Sequence, residues 1–247
     1  MDHFRLWLSQ LRGHYCTGSA CVFCSLHQLF AQLSASNRAA LPADQLRRAL
    51  AHTFSAQRRF QLGLMDDAIE CFEHILQRLH LHCAGDQPDE GCQATHCVAH
   101  RLFAHQLIER RRCGGCNRGD SRPPYAQFVQ YVSTPALLGS ALNARRANPL
   151  SFGSLVRAVC AQGDFRDCAF PECGSRCQLR KTLLNAPPLL AIGLNWESER
   201  PSAGHIAQLL QLVEIQLRLS DVSFFGFLKN RIKFIYRIQY KHIGSRY

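Results

Sequence analysis

Residues 13–24 read GHYCTGSACVFC and place one histidine and three cysteines close together. His14, Cys16, Cys21 and Cys24 are four soft donors, and Cys21-x2-Cys24 has the bite that closes on one tetrahedral ion. The same spacing also suits a disulfide scaffold or the surroundings of a catalytic thiol. Two further groups bear on that choice. Cys113-Gly-Gly-Cys116 sets two thiols on a tight glycine turn, and Cys168-x4-Cys173 follows downstream, with Cys177 in reserve. A CxxC with a distant second pair is a zinc signature, although this second pair is wider than usual. The third group, Cys92-x4-Cys97-x2-His100, needs a fourth donor; His80 is the choice, with His82 and His96 competing. Thirteen cysteines are an odd number, and Met1–Arg12 is too short and wrongly built for a secretory leader. The pattern predicts zinc thiolates in a reducing compartment, cytoplasmic or nuclear, ahead of disulfides.

Such donors need a fold to hold them. With 47% hydrophobic and 19% charged residues, the 247-residue chain reads as globular. It has no run of about 18 uncharged apolar residues that would span a bilayer, so no membrane partner is expected. A net charge of +11 and a pI near 9.3 call for an anionic partner or an acidic patch elsewhere. The cations gather at Arg110, Arg111 and Arg112 and in residues 229–246, which carry six Lys/Arg and no acid. Nucleic acid is not expected, because no aromatic–basic recognition signature accompanies them.

Periodicity predicts a helix over 20–33, with Val22, Leu26, Leu29, Phe30 and Leu33 on one stripe. Pro42 opens a second through Leu46, Ala49 and Leu50. The strongest pattern runs over 64–80, where Leu64, Ala68, Phe72, Ile75, Leu76 and Leu79 recur at three and four. Asp66, Asp67 and Glu70 crowd the positive end of that helix. From Gln87 onward, Gly, Pro and Cys punctuate shorter segments. FVQYVS (128–133) and the run after Pro187-Pro188 in TLLNAPPLLAIGLNW (182–196) read as strands. The expectation is an α+β chain with a helical part over 1–84, a strand-rich part over 85–221 and a divergent basic tail over 222–247.

FQLGLMDDAIECFEHIL (60–76) resembles the Gln-Gln-Asp-Ala-x-Glu-Phe helix of the ubiquitin-specific proteases, cysteine peptidases that cut after ubiquitin's C-terminal glycine. LPADQLRRAL (41–50) is similar to that family's Leu-Pro-x-x-Leu-Arg-x-Ala-Leu helix, and Cys113-x2-Cys116 to the start of its zinc-bearing fingers. LLNAPPLLAIGLNW is similar to its Leu-Pro-Pro-x-Leu-x-Ile-x-Leu strand. The likeness covers residues 4–221 and is strongest toward a divergent branch usually labelled inactive. That branch shares the His-x-Cys-x4-Cys-x2-Cys group and the Met-Asp-Asp-Ala variant. The resemblance implies a papain-like α+β fold of thumb, palm and fingers, zinc as cofactor, and ubiquitin or a ubiquitinated protein as partner. It also implies that Asp67 meets an arginine of ubiquitin's tail and that Glu70 makes a second acidic contact or a structural one. Charge alone suits a basic tail to this helix start, although Asp66 reads equally as part of a solvated face. Met65 and Asp66 replace the paired glutamines and Cys71 a phenylalanine, substitutions that would weaken or alter tail binding.

The resemblance also implies what is missing. The family's nucleophile lies in an Asn-x-x-x-Cys box, for which MDHFRLWLSQL (1–11) would be the back half of the following helix. Its general base lies in a Gly-His-Tyr box, of which Lys241-His242 is only a faint echo. Cys16, Cys21 and Cys24 are therefore assigned as metal ligands, since nucleophilic catalysis needs an uncoordinated thiol within reach of a base. The expected function is a deubiquitinase-family domain that binds ubiquitin and is catalytically inactive as it stands. Its competitors are an active cysteine-type deubiquitinase in a longer product and a basic zinc-binding module for proteins or nucleic acid. In RIKFIYRIQYKHI (231–243) the alternation of Ile232, Phe234, Tyr236, Ile238 and Tyr240 predicts a half-buried strand. It could pair with LLAIGLNW, but with several palm strands missing the tail is expected to stay unpaired.

Overall fold

The computed structural model of the chain describes residues 14, 16–36, 40–85, 92, 94–144, 152–161, 165–185, 187–198, 200–214 and 233–235. It divides into two compact units, Met1–Leu102 and Phe103–Tyr247.

The first unit is helical. Helices α1 (Val22–Ala35), α2 (Asp44–Thr53) and α3 (Ala68–Ala84) are followed by the short α4 (Val98–Phe103). Each of the first three lends apolar residues to one core: Val22, Ala49 and Leu50, with Leu46, Cys71 and Ile75 packed against them, and Phe54 and Phe60 from the α2–α3 connection. The helices predicted over 20–33 and from Pro42 are present as α1 and α2. The helix predicted over 64–80 runs instead from Ala68 to Ala84. Asp67 stops it at the front, in extended backbone, by accepting the N–H groups of Ile69 and Glu70. Leu64 and Met65, which matched the helical stripe, lie in the preceding turn at 62% and 60% exposure. Gly85 ends the helix at φ 63°, its N–H returning to the Leu81 carbonyl.

The second unit holds two sheets. The larger is antiparallel and contains β1 (His105–Cys113), β2 (Gly119–Ser121), β3 (Tyr125–Gln127), β5 (Phe165–Asp167) and β6 (Arg176–Leu183). Its order is β2-β1-β6-β5, with β3 sharing the β2 edge of β1. The smaller sheet is parallel and runs β4 (Val129–Ser133), β7 (Leu189–Asn195), β8 (Lys233–Ile235). Parallel strands covered on both faces read as apolar runs, and LLAIGLN fits that rule, whereas VQYVS buries Val129 and Val132 and leaves Tyr131 exposed; both strands stand at the predicted places. Among the described residues three helices complete the unit: α5 (Thr134–Ala144), α6 (Phe152–Ala161) and α7 (Ala203–Glu214). Val132, Leu137, Ala141, Phe152, Leu155, Val156 and Leu209 form its core.

Two expectations differ from this architecture. The region beyond residue 84 carries α4 to α7 as well as strands. Helix α5 has an ordinary start signal, with Pro135 in its first turn and the Ala136 N–H bonded to the Ser133 hydroxyl at 3.3 Å. The tail is paired over Lys233–Ile235, with Leu189, Leu190 and Ala191 of β7 as parallel partners. That corrects the unpaired expectation for those residues, since the exposed edge of β7 offers backbone groups that a following strand satisfies. The rest of the alternating stretch lies outside the described residues. Among the described residues no helix is long and apolar enough to cross a membrane.

Candidate metal centres and the acidic helix start

All twelve predicted ligands gather into three four-residue clusters, and within each the donor atoms lie within 4.8 Å of one another. Among the described residues, which include all thirteen cysteines, no disulfide forms.

In the first cluster His14 Nε2 stands 3.1 Å from Cys24 Sγ and 3.7 Å from Cys21 Sγ, while Cys16 and Cys24 sulfurs are 3.6 Å apart. Helix α1 sets the geometry: Cys21 is its N-cap and its sulfur accepts the Cys24 N–H at 3.5 Å. One turn of helix thus aims two sulfurs the same way, at the end where the dipole favours thiolate. Burial pushes the Cys24 thiol up to about 12, with the Cys16 and Cys21 thiols adding to the rise. Cys16 is lowered, chiefly by the Gly18 backbone.

The finger cluster joins the end of β1 to the β5–β6 connection. Cys113 and Cys173 sulfurs are 3.5 Å apart, and those of Cys116 and Cys168 3.7 Å. The Cys116 backbone, first among several hydrogen bonds, holds Cys113 down at about 6. Cys116 is pushed up to about 11: the Arg118 backbone lowers it, but burial and the thiols around it outweigh that pull. Cys177, the reserve donor, sits opposite Cys113 in the β1–β6 register, outside the cluster.

In the third cluster Cys97 Sγ lies 3.5 Å from His80 Nδ1 and 3.3 Å from His100 Nδ1. Cys92 completes the set. Successive helical residues turn by about 100°, so His80 and His82 project from nearly opposite sides of α3. His82 accordingly faces the first cluster, with Nε2 3.8 Å from Cys21 Sγ, and does not compete for the third. His96 is used otherwise, its Nε2 2.5 Å from the Cys83 carbonyl. Sequence reasoning considered His82 for the third cluster and missed it beside the first, and it missed Cys83 altogether. Cys83 is held down at about 7, first by its hydrogen bond with the Cys97 thiol, and Cys97 is pushed far up in return. Helical phase could have located His82; Cys83 had no signal beyond proximity to His80.

These donor sets fit zinc. Zinc–sulfur bonds of about 2.3 Å in a tetrahedron separate the sulfurs by about 3.8 Å, close to the spacings found. Crowded thiols whose ionisation is split upward and downward are the state a divalent cation relieves.

At the start of α3 the three carboxylates behave differently. Asp67 is exposed, and its Oδ1 accepts from Ile69 N–H at 2.8 Å and Glu70 N–H at 3.0 Å. Asp66 precedes the helix and accepts the Phe60 N–H at 2.5 Å, with Arg59 3.7 Å away. Glu70 is ion-paired with Arg59. Arg59, a residue the sequence did not single out, thus ties two acids to the turn before the helix and leaves Asp67 outermost.

A sequence model of the ubiquitin carboxyl-terminal hydrolase family matches residues 2–231. The chain belongs to that family, as one of its ubiquitin-specific protease members. It is 39% identical over 228 residues to ubiquitin carboxyl-terminal hydrolase 54 of Mus musculus, across 91% of this chain and 14% of that protein. It is 40% identical over 203 residues to ubiquitin carboxyl-terminal hydrolase 53 of Homo sapiens, across 81% of this chain and 19% of that protein. The chain therefore spans less than a fifth of the curated relatives it matches. Its fold is similar to that of the Neurospora crassa Pan2 catalytic unit of protease and nuclease domains. The TM-score is 0.54 at 17% identity, over 82% of this chain and 34% of that one. The fold class is the α+β papain-like architecture that the motifs implied.

Proposed function

We propose that this domain binds ubiquitin or a ubiquitinated protein through the ubiquitin tail, is stapled by zinc at three centres, and does not itself hydrolyse the bound chain. The observation that carries the tail-binding reading is the division of labour at Asp67. One carboxylate oxygen caps α3 while the side chain stays exposed at a helix N-terminus whose other acids are engaged by Arg59 and Phe60. Asp67 can then meet a guanidinium of the tail, and Glu70 supports it by holding the turn. The three metal centres are closed four-ligand sets, so zinc there would supply folding free energy, with no open position for a reacting water.

Inactivity is supported by the sequence and by the use made of its thiols. No Asn-x-x-x-Cys box stands among the 247 residues. Cys21, Cys24 and Cys97 are within reach of an imidazole, and each belongs to a metal cluster. A longer product supplying both catalytic boxes would be a cysteine-type deubiquitinase, and the small share of the relatives spanned here leaves room for one.

The test is a titration of isotope-labelled ubiquitin followed by NMR, paired with an electrophilic ubiquitin probe. Shifts in ubiquitin's last residues that vanish with Asp67→Lys, and a probe that stays unattached, are expected. Unchanged shifts with Asp67→Lys would remove the tail-binding role. A covalent adduct at any cysteine would overturn the inactivity.

A further inference from the structure

The two faces of the finger sheet treat their charges in opposite ways. On one, carboxylates neutralise cations: Glu109 accepts from the Tyr125 hydroxyl at 3.0 Å and meets Lys181 at 3.7 Å and Arg122 at 4.0 Å. Arg111 makes a two-pronged pair with Asp120, at 2.8 and 2.6 Å. The other face carries Arg110 and Arg112 from β1 and Arg176 and Arg180 from β6, all exposed. Among the described residues none of these four forms an ion pair. Arg112 donates to the Asn117 amide oxygen at 2.9 Å, Arg180 to that of Gln178 at 3.4 Å, and Arg176 to the Phe165 carbonyl at 3.5 Å. Arg110 stands directly opposite Arg180 in the register, a like-charge pairing that weakens a sheet. Gly119 and Ser121 of β2, the neighbours of Arg112 and Arg110, are too small to cover them. Asp167, opposite Arg176, is the one carboxylate among the strand residues described on this face. Phe165 lies on edge strand β5 at 51% exposure, with the Arg176 guanidinium 5.7 Å from its ring centre.

We propose that this face of the finger sheet is a docking surface for an acidic polypeptide segment. Charge complementarity selects the partner. Four guanidiniums on adjacent strands form a row of forks that match carboxylates, and the facing arginines keep a repulsion that an anionic partner relieves. Exposed Phe165 gives the segment an apolar foothold at one edge. A polypeptide is favoured over single-stranded nucleic acid because among the described residues of this face one aromatic, Phe165, accompanies the arginines, where base stacking uses several. This face belongs to the second unit, and the proposed tail-binding site to α3 of the first.

The test measures fluorescence anisotropy of a labelled glutamate–serine peptide and of a labelled oligothymidylate, against the wild-type chain and two charge variants. Arg110→Ser/Arg180→Ser is expected to weaken peptide binding by roughly tenfold or more, as loss of matched interface charges does. Arg47→Ser/Arg48→Ser, the same charge change on exposed α2 positions, is expected to leave it nearly unchanged. The finger variant should also melt at an equal or higher temperature, because it removes a like-charge pair; arginines kept for the fold would lower it. Equal losses in both variants, no peptide binding, or a lower melting temperature in the finger variant would overturn the proposal. Tighter binding of the oligonucleotide through the same arginines would overturn it in favour of nucleic acid.

Discussion

Asp67 shows how one side chain can serve fold and function with separate atoms, and substitutions can part the two. Asparagine keeps a capping oxygen and loses the charge, so Asp67→Asn should change stability by no more than a few tenths of a kcal/mol. Asp67→Ala loses both and should cost about 1 kcal/mol in chemical denaturation. Both should weaken ubiquitin binding; full binding by Asp67→Asn would show that the charge is not used. Gly115 makes a similar point in the fingers. A Cβ there would collide with the Ser175 side chain and come within 3.3 Å of Cys173 Sγ, whereas one at Gly114 meets nothing within 4 Å. Gly115→Ala should therefore lower zinc retention at the finger cluster in a chelator competition, and Gly114→Ala should leave it unchanged.

Among the elements, β1 carries a titratable residue outside the three metal clusters. His105 is buried, and burial holds its imidazole down at about 4 against an ordinary value of 6.5. The unfolded chain binds the proton more readily, so stability is fully present above about pH 6.5 and falls as the pH drops toward 4. The shift amounts to something on the order of 3 kcal/mol. The urea midpoint of wild type should fall relative to that of His105→Leu as the pH drops through that window; parallel curves would show that His105 does not titrate as described. At β8, slow amide exchange at residues 233–235 is expected from the pairing with β7. Fast exchange there would restore the unpaired tail. The elements also show what the sequence could and could not reveal. Helices α1 and α2 and strands β4 and β7 follow from local pattern, because burial on one face or both writes a period into the residues. The start of α3 did not, since Leu64 and Met65 mimic the stripe while the Asp67 cap decides the boundary. The finger arginines were visible only as a run, since their facing partners come from β6, far along the chain.

At the scale of the molecule, metal clusters and apolar cores share the task of holding the chain. The first unit contains two clusters and the core of Val22, Ala49, Leu50, Phe54 and Phe60; the second contains the finger cluster and the core around Leu137 and Phe152. Ligand spacing made all three clusters readable from sequence, because chelation by neighbouring residues is local. The partner segments were harder: His80 was a choice among three histidines, settled by the face of α3 for His80 and His82 and by the Cys83 carbonyl that engages His96. If the clusters are zinc centres, the chain folds around them and presents Asp67 and the finger sheet only when they are filled. Native mass spectrometry of the purified chain, before and after a strong chelator, tests this most directly. Three zinc ions are predicted, lost on chelation together with the helical circular dichroism of the first unit. A folded chain that carries no metal, or one that keeps its helices after all metal is removed, would contradict the account.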